Sequence, residues 1–210
     1  MFKAHVIQWI RNTGIMAIVR VNSNERGEEI AQGCLAGGID VLEISYTHRS
    51  AGETIKYLTD KFGNQLLVGA GTVLDSETAR LAILSGAQFI IAPNFKKEVA
   101  FICNRYQIPY APGCTSLTEM IEAMEYGAAY VKLFPIANYF GPDIVKTLKT
   151  PIPNMPVLAS GGVTLENVEK WFENKVDCVG VGTLLTKGSV TEITENALKL
   201  RAAVKKVRGQ

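Results

Sequence analysis

Histidine is nearly missing from this chain of 210 residues, which has only His5 and His48, and its four cysteines (Cys34, Cys103, Cys114 and Cys178) stand far apart with no CxxC pair. Neither set has the spacing of metal ligands, so no metal centre is expected. The cysteines read as reduced core or wall residues of a cytosolic protein, not as a disulfide frame. Long apolar runs are missing too: no stretch is fit to span a bilayer, and the opening residues 1–10 show neither an extended apolar run nor a small-residue cleavage site. Charge of a single sign is also scarce. Against 22 basic residues stand 20 acidic ones, a net of +2, and the one basic cluster, Arg201 to Arg208, alternates with Ala and Val as a solvated helix face does. Nothing here points to a nucleic-acid or membrane surface.

What the chain has is apolar residues, 47% of the total, enough for one sizeable core and too little length for two ordinary domains, so residues 1–210 are expected to form a single domain. The opening stretch through Asn12 reads as a short amphipathic helix, with Phe2, Val6 and Ile10 at helical spacing. Short apolar runs then alternate with longer amphipathic ones. The runs are Ile15 to Arg20, Val41 to Tyr46, Leu67 to Thr72, Phe89 to Pro93, Pro109 to Pro112, Tyr130 to Pro135, Val157 to Ser160 and Cys178 to Thr183. Helix starts are signalled between them by Asn24 before Glu25, Asp75 before Ser76 and Glu77, Ser116 with Glu119 as a capping box, and Thr164 before Glu166. Eight strands each followed by a helix predict an α/β fold, a (β/α)8 TIM barrel with a short N-terminal helix. A doubly wound open sheet is the second reading, because alternation alone does not close a sheet.

A weak internal repeat bears on closure. Gly38, Gly86 and Gly127 each stand where a helix should end and a strand begin, and Lys175 holds the same place before the last strand. Five residues on from each lie Glu43, Ile91, Lys132 and Gly180, on alternate strands. Barrels fill their interior in layers drawn from alternate strands, so Glu43 and Lys132 are expected in one layer, reaching toward each other, with Gly180 leaving them room. The plainer reading is that glycine commonly ends helices.

Lys132 breaks the apolar strand Tyr130-Val131-Lys132-Leu133-Phe134-Pro135. By strand alternation it shares a face with Tyr130 and Phe134. Desolvation there would lower its pKa from about 10.4 and leave some free amine, a nucleophile toward ketones. Otherwise it is a strand-end lysine whose stem is buried and whose head reaches water. Glu43 is the lone ionisable group of Val41-Leu42-Glu43-Ile44-Ser45. A carboxyl beside an amine can move protons as an imine forms and collapses; the bland alternative is a buried ion pair that only orders the core. Glycines cluster where the last two strands end, in Ser160-Gly161-Gly162-Val163 and Gly180-Val181-Gly182-Thr183. Backbone N–H groups can approach an anion there, as at barrel phosphate sites, unless the glycines serve turn geometry alone. Gly69-Ala70-Gly71-Thr72 closes the third strand and offers a hydroxyl. Arg20 ends the first strand, either as a fork for a carboxylate or as a rim charge paired with Glu25 or Glu28. His48 and Arg49 read as loop residues.

In order along nearly the whole chain, Val41-Leu42-Glu43-Ile44, Val68-Gly69-Ala70-Gly71-Thr72-Val73-Leu74, Ala111-Pro112-Gly113, Val131-Lys132-Leu133-Phe134-Pro135 and Ser160-Gly161-Gly162-Val163 resemble the motifs of the 2-keto-3-deoxy-6-phosphogluconate (KDPG/KHG) aldolase family. The resemblance implies a metal-independent, cofactor-free class I aldolase on a (β/α)8 barrel, a cytoplasmic homotrimer acting on a small phosphorylated keto acid. It implies Lys132 as the Schiff-base lysine and Glu43 as the general acid/base. Thr72, Pro93 and Phe134 match positions lining the substrate, and Gly161, Gly162, Gly182 and Thr183 match the phosphate end, Thr183 standing where some members have serine. Some members hold the substrate carboxylate with an arginine four residues after the glutamate; here that position is Thr47, while Arg20 fits the members whose arginine ends the first strand. The galactonate-derived epimer, 4-hydroxy-2-oxoglutarate, and a barrel that isomerises or decarboxylates a sugar phosphate without a covalent intermediate stay open beside this reading. So does a catalytically silent phosphate-binding barrel.

Overall fold

The computed structural model describes residues 2–209. Its strands are β1 (Ile15–Val19), β2 (Val41–Ser45), β3 (Leu67–Gly71), β4 (Ile90–Ile91), β5 (Tyr110–Ala111), β6 (Gly113–Cys114), β7 (Val131–Leu133), β8 (Val157–Ser160) and β9 (Cys178–Val181). The α-helices are α1 (Phe2–Thr13), α2 (Asn24–Ala36), α3 (Ala51–Phe62), α4 (Ser76–Leu84), α5 (Lys97–Arg105), α6 (Leu117–Glu125), α7 (Ala137–Phe140), α8 (Asp143–Lys149), α9 (Val168–Glu173), α10 (Thr183–Thr186) and α11 (Val190–Arg208).

All the strands pair in parallel, in the order β5-β4-β3-β2-β1-β9-β8-β7-β6. The two ends of that order, β5 and β6, are neighbours in the chain with only Pro112 between them. Proline has no N–H to donate, so the fifth apolar run is broken there, one half pairing with β4 and the other with β7. The Pro112 carbonyl still accepts from the Lys132 N–H at 2.9 Å. The sheet therefore curls into a nearly closed barrel of TIM type, and the open doubly wound sheet, whose edges lie apart, does not fit.

The repeat seen in the sequence has a backbone cause. Gly38, Gly86, Gly127 and Lys175 all have positive φ, and so does Gln107 before β5. At each, the N–H bonds back three residues and the next N–H bonds back five, as in Gly127 to Met124 and Ala128 to Ala123, which is the left-handed helix stop that satisfies the last carbonyls of a helix. Because the same stop precedes strands of the same pitch, residues at equal distance from it sit at equal height in the barrel.

Three residues after the stop lie Val41, Phe89, Tyr130 and Cys178, all buried in one apolar cluster inside the barrel together with Met16, Leu67 and Leu158. Val6 and Ile10 of α1 close this floor from below, and the Tyr130 hydroxyl donates to the Ile7 carbonyl at 2.9 Å. Each such buried side chain contributes about 1.5–3 kcal/mol. Phe2, on the same expected stripe, is instead exposed. The alternate strand residues, such as Ala17, Leu42, Val68, Val131 and Val179, belong to a second cluster under the surrounding helices. All four cysteines are buried and free. Burial pushes the Cys34, Cys103 and Cys114 thiols up to about 12, so none of these three is a reactive thiolate.

Two helix starts differ from the sequence reading. Ser23, not Asn24, caps α2, its hydroxyl accepting from the Arg26 N–H. Thr164 does not start a helix: its N–H is taken by the Asn167 side chain, whose amide donates to the Gly162 carbonyl, and α9 begins only at Val168. Side-chain bonds to nearby backbone here compete with the helical turn. Asp75 and the Ser116–Glu119 capping box sit as expected.

Candidate active site

Five residues after the stop come Glu43, Ile91, Lys132 and Gly180; seven after come Ser45, Pro93, Phe134 and Gly182. The inward face thus turns from wholly apolar at the floor to ionisable in the middle and open at the top. Glu43 and Lys132 are 2% and 6% exposed, values that rule out surface roles for both. Lys132 sits between Gly113 of β6 and Leu158 of β8 in the sheet register, with its ammonium 5.2 Å from the centre of the Phe134 ring. That is within cation–π range. Among the described residues no carboxylate pairs with it. Glu43 lies across the barrel on β2, its carboxylate folded over β3, where a Cβ on Gly71 would collide with it. One oxygen, Oε2, is buried without a partner, a costly state for a polar group unless something enters to bond it.

The two ionisable groups therefore share a layer without forming an ion pair. Their expected common space is also partly filled, which corrects the role given to Gly180. A Cβ there would lie 2.8 Å from Ile18 Cδ1, so Ile18, not the Lys132 or Glu43 side chain, occupies the room that Gly180 leaves.

Above them, a cavity of about 270 Å³ opens at the C-terminal ends of β1, β8 and β9, with Arg20, Phe134, Gly161, Gly162, Gly182 and Thr183 in its wall. Gly161 and Gly162 both have positive φ, +101° and +69°, a pair of conformations that suits glycine. The Asn138 side chain of α7 packs where their Cβ atoms would be. Arg20 is exposed and pairs with neither Glu25 nor Glu28; Glu28 is held by Lys61 and the Tyr57 hydroxyl. Thr72 and Pro93 stand outside this cavity, at the ends of β3 and β4. Thr72 has φ +59°, uncommon for a β-branched residue, and its hydroxyl lies 3.5 Å from that of Ser45.

Three site residues escaped the sequence reading: Ser45, Ser160 and Ile18. Ser45 and Ser160 are buried hydroxyls at the open end, and Ser160 and Ile18 line the cavity. Ser45 was within reach, since it lies two residues past Glu43 on the same strand face. Among the described residues no group of three or more His, Cys, Asp or Glu side chains is placed to hold a metal.

An inward lysine with no ion partner, an inward carboxyl with a free oxygen, and a glycine-lined anion cradle above them suit imine chemistry on a phosphorylated keto acid. The family profile that matches residues 6–200 is KDPG and KHG aldolase. Among curated proteins, the 2-dehydro-3-deoxy-6-phosphogalactonate aldolase of Escherichia coli (strain K12) is 33% identical, covering 84% of this chain and 85% of that protein. The 2-dehydro-3-deoxy-phosphogluconate aldolase of Treponema pallidum (strain Nichols) is 30% identical, covering 79% of each. Among solved structures, the KDPG aldolase of Legionella pneumophila, with pyruvate captured as a covalent carbinolamine intermediate, superposes with a TM-score of 0.84 at 26% identity, covering 95% of this chain and 98% of that one.

Proposed function

The chain belongs to the KDPG and KHG aldolase family, and from that premise we propose that it cleaves 2-keto-3-deoxy-6-phosphogluconate to pyruvate and glyceraldehyde 3-phosphate through an imine on Lys132. The observation that carries this is the buried, inward Lys132 side-chain nitrogen, with no carboxylate partner among the described residues, one layer below the cavity. Its amine adds to the C2 carbonyl, and the carbinolamine loses water to give an iminium. The electron pair of the C3–C4 bond flows into that iminium as the C4 hydroxyl gives its proton to Glu43, directly or through water. The aldehyde leaves and an enamine remains, which is protonated at C3 and hydrolysed to pyruvate, freeing the lysine. The unpaired Glu43 Oε2 is the acceptor this step needs.

The cavity walls suggest where the ends of the substrate go. Gly161, Gly162, Gly182 and Thr183 cradle the phosphate, Phe134 flanks the imine, and Thr72 and Pro93 line the keto-acid side outside that cavity; Arg20, expected from the sequence to hold the carboxylate, stands instead in the wall of the phosphate cavity. In this reading β5 and β6 count as one strand interrupted at Pro112, which gives the eightfold (β/α)8 barrel with α1 as its floor. No helix among the described residues is long and apolar enough to cross a membrane. The family membership supports reading the chain as a cytoplasmic enzyme of sugar-acid breakdown of the Entner-Doudoroff type. The chain is read as a homotrimer; Leu81, Leu84 and Phe101, exposed on the neighbouring helices α4 and α5, support self-association, and light scattering that returns any mass other than three chains overturns the trimer.

Borohydride added with pyruvate tests the chemistry: the expected result is a permanent mass increase mapping to Lys132. A barrel that isomerises or decarboxylates without a covalent intermediate gives no adduct. A pyruvate-coupled assay on the gluconate- and galactonate-derived substrates then assigns the epimer, with faster turnover expected on the gluconate form.

A further inference from the structure

The open end is not where the larger cavity lies. At the closed end a cavity of about 520 Å³ is bounded by the last turns of α1 and α11, the chain after α8 and the α9–β9 connection, against about 270 Å³ at the mouth. Its wall holds four cations, Arg11, Lys149, Lys175 and Arg208, and a single carboxylate, Asp177. This local excess of positive charge exceeds the net +2 of the whole chain. Asp177 is already engaged: Oδ2 accepts from Lys149 at 2.8 Å and from the Val157 N–H at 2.9 Å, and Oδ1 lies 3.7 Å from Arg11 Nε.

The other cations have no such counter-charge. Arg208 donates only to the main-chain carbonyls of Arg11, Asn12 and Asp177, with Phe172 4.9 Å beneath its guanidinium. Lys175 forms no ion pair among the described residues. It also occupies a left-handed stop, φ +67°, where three sister repeats have Gly38, Gly86 and Gly127 and the stop before β5 has Gln107. Glycine takes that conformation freely and lysine does not, so a side chain is kept at some cost where glycine fits better.

We propose that this closed-end cavity is an anion site for inorganic phosphate or a small phosphate ester, separate from the catalytic mouth. Lys175, Arg208 and Arg11 supply the donors, and the Phe172 ring supplies an apolar wall for the ester's carbon chain. From Asp177 to Gly182 the chain runs the length of β9, roughly 16 Å at strand rise, so one phosphate does not reach both places.

The test is a titration of the full chain with inorganic phosphate, followed by amide NMR, with chloride at matched ionic strength as control. Saturating shifts are expected at Lys175 to Asp177 and the end of α1. They should weaken by at least about fivefold in Lys175→Gly, a substitution the backbone favours, while kcat/KM stays within about twofold of wild type. Arg11→Gln serves as the second variant and should weaken binding in the same way. Shifts confined to the mouth glycines, equal shifts with chloride, or unchanged titration in both variants overturn the proposal.

Discussion

The two ends of this barrel are built from the same repeat and do opposite things. At the closed end the inward residues are Val41, Phe89, Tyr130 and Cys178, packed on one another and on Val6 and Ile10 with the Tyr130 hydroxyl bonded. Two residues further along the same strands stand Glu43 and Lys132, buried to nearly the same degree but lacking each other as partner. Packing and hydrogen bonding satisfy the first layer within the fold. The second layer keeps an unmet carboxyl oxygen and an ammonium against a ring, a cost that makes sense where a ligand completes the bonds. Stability and chemistry are therefore separated by one strand alternation, about 7 Å.

Substitutions should respect that separation. Lys132→Met removes the proposed nucleophile while leaving an apolar side chain in a buried place; cleavage in the pyruvate-coupled assay should fall by at least about 10⁴-fold, with the thermal midpoint unchanged or raised. Near-normal turnover would refute the assignment. Glu43→Gln should lower kcat by about 10²–10⁴-fold and still yield some borohydride adduct, because it disturbs proton transfer more than nucleophilic attack. Gly71→Ala pushes a methyl into the Glu43 carboxylate, and a shift of that size should reduce kcat by about 10²-fold at a stability cost of about 1–3 kcal/mol. Ile10→Ala, at the floor, reverses the pattern: a loss of about 2–5 kcal/mol in denaturant unfolding, with kcat of the remaining folded enzyme within about twofold of wild type. Parallel losses of activity and stability in all four variants would dissolve the distinction between the ends.

Much of this was legible before any coordinates. Eight apolar runs, the glycine stops and the lone ionisable residue in each of two strands placed Glu43 and Lys132 at one height, because strand alternation and the left-handed stop are local properties of the backbone. The failures had local causes too. Ser23 and Asn24 are both good caps, and which one leaves the helix depends on where the chain enters from β1. Thr164 carries a cap signal, but the Asn167 side chain takes its N–H and delays α9. Ser45 and Ser160 passed as ordinary strand residues, since a hydroxyl near the end of an apolar run signals nothing until the neighbouring strand shows what it faces.

The sequence by itself determined the alternation of strands and helices, the phase that turns Lys132 and Glu43 inward, and the family to which the chain belongs. Each of these follows from periods of two and 3.6 and from residue types at fixed spacing. Only the tertiary structure decided that Ile18 fills the space over Gly180, that the lysine and the carboxyl share a layer without pairing, and that the sheet curls almost closed around Pro112. Those outcomes depend on side chains from strands far apart in sequence competing for one volume, and a one-dimensional pattern does not say which of them arrives there.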